Sequence, residues 1–530
     1  MSTNNLPYLE SRILRSASVV GAATFVSRIT GFFRDVVLAY FFGTGIQMQA
    51  FIVAFRLPNL LRNLIGEGAT NTTLVPVFSK LLSQAKREEF LRLSQFLFKL
   101  MLTSLVGIVI LSEIASGALV RIIAPGFLDE PEKLFLAIKM SRITFVYILL
   151  IGLVAYNTSL LNSMNNFASS AIAPMLLNLS LIIGAFVSVR VMDEPILGIA
   201  WAVIVGGILQ FSCQLPSLVR NHITPWSNIF HFKIEPEVKH ASARVGRLFW
   251  PRTLGAAVYQ INVFIDTIIA SLSSLVGPGA VAAIYYANRI IQLPLGIFAF
   301  ALSSALLPRF SAFVALNEKD KLAKSFVFSM NMITVIMLPI SFFLILLSRP
   351  ITTAIFQRGE FGIASSQITS LALLFYSLGL YFFAAVKITL ACFYALEDTR
   401  RPVKIAAFCL VLNLILNIIL AIPLKIGGLA LASSISAAIN LILLCRFLKG
   451  HIPSLKYGEI FGLPFLRIFA CALFMIFCIN WTWQHLFICH VLFIRLIFNL
   501  ILAAFIYLAA GLLFKINEIK QALLWILRKD

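Results

Sequence analysis

Apolar residues occur along this chain in runs of about twenty or more, separated by short polar stretches. Their cores lie near 17–42, 49–78, 96–123, 139–162, 171–191, 196–218, 247–274, 281–307, 326–348, 364–394, 403–423, 427–447, 462–484 and 488–514. A helix rises about 1.5 Å per residue, so each run is long enough to cross a bilayer as one helix. The pattern predicts an all-α polytopic membrane protein with about 14 transmembrane helices. No small-residue cleavage motif follows the first run, which is expected to remain as a helix.

The runs repeat. "AFRLPNLLRNLIGEGATNTTLVPVFSKL" starts at Ala54, and "ANRIIQLPLGIFAFALSSALLPRFSAF" starts at Ala287. Arg56 matches Arg289, Pro76 matches Pro308, and "LLNLSLI" around Asn178 matches "VLNLILN" around Asn413. The offset is close to 230 residues throughout. Each half holds six runs, and an even number returns the chain to its starting side. The halves are therefore expected to be parallel repeats related by an axis along the membrane normal. This gives an N-lobe over 1–222, a linker over 223–246, a C-lobe over 247–450, and two further helices with a tail over 451–530.

Composition agrees with the pattern: 60% of residues are hydrophobic and 12% charged, where a soluble domain is about a quarter charged. The net charge of +21 does not form a soluble nucleic-acid patch. With the N-terminus in the cytoplasm and alternating loops, roughly 25 Lys/Arg fall on the cytoplasmic side and roughly 7 outside. That asymmetry predicts two cytoplasmic termini. The seven cysteines (Cys213, Cys392, Cys409, Cys445, Cys471, Cys478, Cys489) show neither a CxxC pair nor metal spacing, and read as apolar packing residues. The six histidines lie at or near loops or span ends, without a metal-ligand pattern. There is no phosphate-cradling glycine loop and no nucleophile elbow, so ATP-driven chemistry within the chain is not expected.

Charges inside the spans change the picture. Arg28, Arg34 and Asp35 sit in the first run, and Arg56, Asn59, Arg62 and Glu67 in the second. Arg252, Asp266 and Arg289 follow in the second half, then Lys387. An arginine at mid-bilayer costs about 2.5–3.5 kcal/mol on insertion scales. Local pairing, such as Arg34 with Asp35 or Arg62 with Glu67, accounts for part of the cluster. The excess of bases over acids favours a cationic, water-filled cleft between the halves, suited to an anionic substrate. Arginine fits phosphate oxygens through its planar donor fork. Pro58, Gly66 and Gly68 predict a bent or broken second helix, tolerated at that depth only against protein or water. Asp266, Asn413, Asn417 and Ser433 form a second set of oxygen-bearing groups, readable either as a cation site or as interhelical hydrogen bonding.

With "SRITGFFRD", "AFRLPNLLRNLIGEGA", "APGF" at Ala124, "VYILL" at Val146, "YYANRIIQLPLG" and "LLPRFS" in this order, the chain resembles the MurJ/MviN lipid II flippases. These belong to the multidrug/oligosaccharidyl-lipid/polysaccharide exporter superfamily. The resemblance covers nearly the whole chain. It implies two six-helix lobes plus two C-terminal helices, and translocation of an undecaprenyl-pyrophosphate-linked disaccharide-pentapeptide to the outer leaflet of the bacterial cytoplasmic membrane for peptidoglycan synthesis. It places cavity arginines on Arg28, Arg34, Arg62 and Arg289, with Glu67 and Lys387 as further site residues. It also implies an apolar groove for the lipid tail over about 462–514. Where the family often has acids, this chain has Gln49, Asn288 and Gln292, which makes the cleft more cationic.

The expected mechanism is alternating access. No cofactor is expected, and Na+ or the membrane potential is the expected energy source. Lipid II and membrane lipids are the expected partners, with a monomeric chain and contact with cell-wall synthesis proteins. The rivals are an exporter of another polyprenyl-pyrophosphate-linked polysaccharide, a polyprenyl-phosphate-dependent membrane enzyme, and a scaffold. An enzyme would want a metal-binding acidic cluster at a membrane face; a scaffold leaves the buried arginines unexplained.

Overall fold

The computed structural model describes residues 6–64, 70–227, 242, 245, 260–485, 491–516 and 518–520, and among these all regular structure is helical. The chain divides into two compact units, Met1–Ile268 and Ile269–Asp530. The division falls inside a short apolar helix, Gln260–Ser271, and within the run read from the sequence as 247–274.

The first unit contains α1 (Leu6–Phe42), α2 (Ile46–Leu61), α3 (Asn71–Ser83), α4 (Arg87–Ile114), α5 (Ser116–Ile123), α6 (Pro131–Ser163), α7 (Ala168–Val191) and α8 (Pro195–Arg220). The helix Gln260–Ser271 is α9. The second unit continues with α10 (Ser273–Val276), α11 (Ala280–Pro294), α12 (Phe300–Ala315), α13 (Lys319–Leu346), α14 (Ser348–Phe356), α15 (Ile363–Ala395), α16 (Arg400–Leu424) and α17 (Ile426–His451). It ends with α18 (Gly458–Phe461), α19 (Leu463–His485) and α20 (Leu492–Leu513). Eleven described helical segments are long and apolar enough to cross a membrane. The other three expected spans fall on α1, which carries Arg28, Arg34 and Asp35, on the interrupted pair α2–α3, and on α9, of which only twelve residues are described.

The repeat is visible in the architecture. In the first unit α6 is the central helix, packed against α2, α3, α4 and α8; in the second α15 is central, packed against α11, α12, α13 and α17. Both are 33 residues long. The break predicted in the second span is present: α2 contains Pro58, ends at Leu61, and gives way to a π-type turn at 62–64. The second unit repeats this feature, with Pro294 closing α11 before a π-helical turn over Leu295–Ala299. A proline removes one hydrogen bond and crowds the preceding carbonyl, and the widened turn absorbs the mismatch. Gly66, Glu67 and Gly68 lie outside the described residues.

Small residues line the contact between α7 and α8 in the first unit. Gly198, Ala202 and Gly206 recur every four residues along α8 and face Ser188, Gly184 and Leu177 of α7. Ser180 donates to the Ala202 carbonyl at 2.7 Å across the same seam. In lipid, where apolar contact alone gives no preference for protein over tail, close backbone approach and such hydrogen bonds hold helices together. Aromatic residues fill the core behind α6: Phe78, Phe90, Phe145 and Tyr156 are buried there.

The last two helices pack on each other, and α19 also on α13. Tyr507 donates to the Val335 carbonyl at 2.9 Å. Asn499, 1% exposed, accepts from Thr482 at 3.0 Å and ties α20 to α19. Phe474, Phe477, Phe498, Ile501 and Phe505 point outward and are exposed.

Candidate functional site

In the first unit the site is built on α1. Arg34 is 9% exposed and lies beside Asp35, which is 1% exposed. The Arg34 guanidinium donates to Asp35 Oδ1 from Nη2 at 2.6 Å and from Nε at 3.0 Å. Its third nitrogen, Nη1, donates to Asn178 Oδ1 on α7 at 3.0 Å. Burying an arginine in this way is tolerable because hydrogen bonds and a counter-charge replace water. Local pairing, one of the two readings taken from the sequence, therefore describes Arg34 directly. Arg28 lies one heptad before Asp35 on the same helix and is exposed.

The break after α2 brings in further polar groups. Arg56 and Asn59 are half-buried on α2. Arg62 is half-buried at the first position past it, with Nη2 donating to Asn63 Oδ1 at 3.4 Å. Tyr147 of α6 is fully buried and donates to Gln210 of α8 at 3.0 Å. Glu67 and Arg252 lie outside the described residues.

The second unit treats its cations differently. Arg289 on α11 stacks on Tyr285, its guanidinium carbon 4.7 Å from the ring centre, and donates to the Tyr285 hydroxyl at 3.1 Å. It also donates to Gln292 at 3.2 Å. Lys387 of α15 places its ammonium 3.9 Å from the centre of the Phe300 ring at the start of α12. The asparagines form a separate cluster on α16 and α17: Asn417 donates to Asn413 at 3.0 Å, and Asn413 to Ser433 at 3.5 Å. Asp266 is half-buried on α9, on the other side of the division between the units. Among the described residues no group of three or more His, Cys, Asp or Glu is placed to hold a metal ion.

Sequence reasoning found the charges and missed what holds them. Phe300 carries no functional signal in the sequence. Asn178 was visible only as a marker of the repeat. Tyr285 was detectable in principle, four residues before Arg289 and so on the same helix face.

The profile of the family described as Lipid II flippase MurJ matches residues 38–498. A protein of Buchnera aphidicola from Acyrthosiphon pisum, described as a probable lipid II flippase MurJ, is 34% identical over 448 residues. That match spans 84% of this chain and 86% of the relative. Among solved structures, a lipid II flippase MurJ in an inward closed conformation superposes with a TM-score of 0.77 at 28% identity, covering 93% of this chain and 98% of the other. An inward-facing multidrug resistance MATE family transporter of the MOP superfamily shares the fold, with a TM-score of 0.68 at 16% identity over 83% of this chain and 99% of the other.

Proposed function

Since this chain belongs to the MurJ family of lipid II flippases, it is a multi-pass transporter that moves lipid II across the membrane, and we propose that it does so by alternating access with arginines as the head-group contacts. The family is one of transporters, so the chain is not an enzyme. Lipid II is an undecaprenyl pyrophosphate carrying a disaccharide and a pentapeptide, and its diphosphate is the part most costly to remove from water. A guanidinium offers that diphosphate a bidentate, charge-assisted contact. The observation that carries this reading is the carriage of four guanidiniums within the first two expected spans, Arg28 and Arg34 on α1 and Arg56 and Arg62 at the α2 break, with Arg28 exposed. Arg28, Arg56 and Asn59 are the further candidate contacts of the first unit, Arg289 and Lys387 those of the second; Glu67 and Arg252 are assigned from sequence. The attraction has only to offset desolvation of the head group, since tighter binding would slow release.

The apolar outer faces of α19 and α20 are assigned to the isoprenoid tail. Both termini are placed in the cytoplasm by the distribution of Lys and Arg, and the membrane is taken as the bacterial cytoplasmic membrane. The chain is taken to work as a monomer, in reach of cell-wall synthesis proteins. For energy we keep Na+ or the membrane potential. Asn413, Asn417 and Ser433 offer neutral oxygen donors of the kind a hard cation accepts; Asp266, the acid of the same set in the sequence, belongs to the other unit.

The test is complementation of a flippase-depleted strain together with a leaflet-accessibility assay for lipid II. Arg28→Ala and Arg289→Ala are expected to insert normally and to fail in both assays. Full complementation by both variants overturns the arginine assignment. Transport in reconstituted vesicles that proceeds equally without sodium removes Na+ from the scheme.

A further inference from the structure

Three polar groups on one face of α1 are held by a single side chain of another helix. Asn178 of α7 is 7% exposed. Its Oδ1 accepts from Arg34 Nη1 at 3.0 Å. Its Nδ2 donates to the Ser27 carbonyl at 3.1 Å and to the Thr30 hydroxyl at 3.4 Å. Ser27, Thr30 and Arg34 are spaced by three and four residues, so they lie in one stripe along α1. Gly31 sits in the same stripe, and a Cβ there would come within 3.3 Å of Asn178 Nδ2. The glycine leaves the space through which the amide reaches the backbone of α1.

We propose that Asn178 is a positioning residue for the cationic face of α1, fixing the rotation of that helix and holding the Arg34 guanidinium in place. The inference rests on the reading of α1 as a head-group contact. A primary amide suits the task because it offers an acceptor and two donors on one planar group. Aspartate keeps the acceptor and loses both donors. Because the stripe fixes the azimuth of α1, it also fixes the direction in which Arg28 is presented, one residue past Ser27.

The repeat shows that this use belongs to the first unit. Asn413, the counterpart of Asn178, bonds instead to Asn417 and Ser433.

The experiment is lipid II transport by the full chain in proteoliposomes, normalised to inserted protein and measured against lipid II concentration. Asn178→Ala is expected to raise the half-saturating concentration about tenfold, the size of one lost hydrogen bond to a charged group. In an Arg34→Gln background the same replacement is expected to add less than about twofold, because the two residues act as one unit. Gly31→Ala, which displaces the amide slightly and removes no polar group, is expected to shift the same quantity in the same direction by about threefold. An asparagine that only glues helices would lower the amount of folded protein and leave the half-saturating concentration unmoved, or would add its full effect in the Arg34→Gln background; either result overturns the proposal. Should Asn178→Ala fail to insert, an unshifted Gly31→Ala overturns it. An unimpaired Arg34→Gln removes the head-group reading and this inference together. A crippled Arg34→Gln beside an unaffected Asn178→Ala removes this inference alone.

Discussion

The Lys387 ammonium faces the Phe300 ring at 3.9 Å from its centre, a contact between the two helices α15 and α12. An aromatic face attracts a cation by about 0.5–2 kcal/mol without cancelling its charge. The contrast with Arg34, which shares its charge with an adjacent carboxylate, divides the site's cations into two kinds.

Phe300→Leu keeps the volume near Lys387 apolar and removes the ring face. Transport per inserted molecule is expected to fall several-fold, as the loss of about 1 kcal/mol implies, and Phe300→Trp is expected to retain it. Equal activity of the leucine and tryptophan variants in the vesicle assay would show that the ring plays no part.

Tyr285 holds Arg289 through both its ring and its hydroxyl. Tyr285→Phe keeps the stacking and loses one hydrogen bond, so a decrease of about threefold to tenfold in transport is expected. Tyr285→Ala loses both and is expected to be more severe. The ranking, read from concentration curves for lipid II, is the measurement; an inverted order contradicts the geometry.

Gly198 packs against Ser188 of α7 and Met192 just past its end. Gly198→Leu forces side-chain volume into the α7–α8 seam, at a cost of about 1–3 kcal/mol. A lowered melting temperature in detergent is expected, accompanied by reduced insertion. A variant as stable as the parent would mean that this seam is looser than its spacing indicates.

Asp398 lies between α15 and α16, outside the spans. Burial works to raise its carboxyl pKa, but the Arg401 N–H at 3.1 Å, His451 Nε2 at 3.0 Å and the Arg401 guanidinium at 3.4 Å outweigh burial and hold it below the ordinary 3.8. A carboxyl lowered by folding stabilises the fold above its unfolded value, and that contribution is lost as the pH falls through the folded value. Asp398→Asn is therefore expected to lower the melting temperature at neutral pH, with the gap to the parent closing below pH 3.8. A gap that persists undiminished in acid would assign the effect to something other than the charge.

Hydropathy made most helices legible, because a bilayer demands uninterrupted apolar runs and internal backbone bonding. It gave the site's charges for the same reason, since Arg34, Arg62 or Lys387 in an apolar run is conspicuous. The Arg34–Asp35 pair was readable because its members are adjacent. Asn178 is 144 residues from Arg34, and no local spacing announces a bond made by the packing of α7 on α1. Phe300 is hidden likewise, one phenylalanine among 47. The break after α2 could be anticipated from Pro58, whereas the matching π-helical turn at Leu295–Ala299 needed coordinates to be seen.

The contact between Arg34 and Asp35 has one more effect. At 2.6 Å the two side chains move as a dipole with no net charge. Sliding this part of α1 along the membrane normal therefore does almost no work against the transmembrane voltage, whereas a single uncompensated charge is worth about 2.3 kcal/mol per 100 mV. A voltage-driven step in this protein has to draw its charge from other residues or from the diphosphate cargo itself.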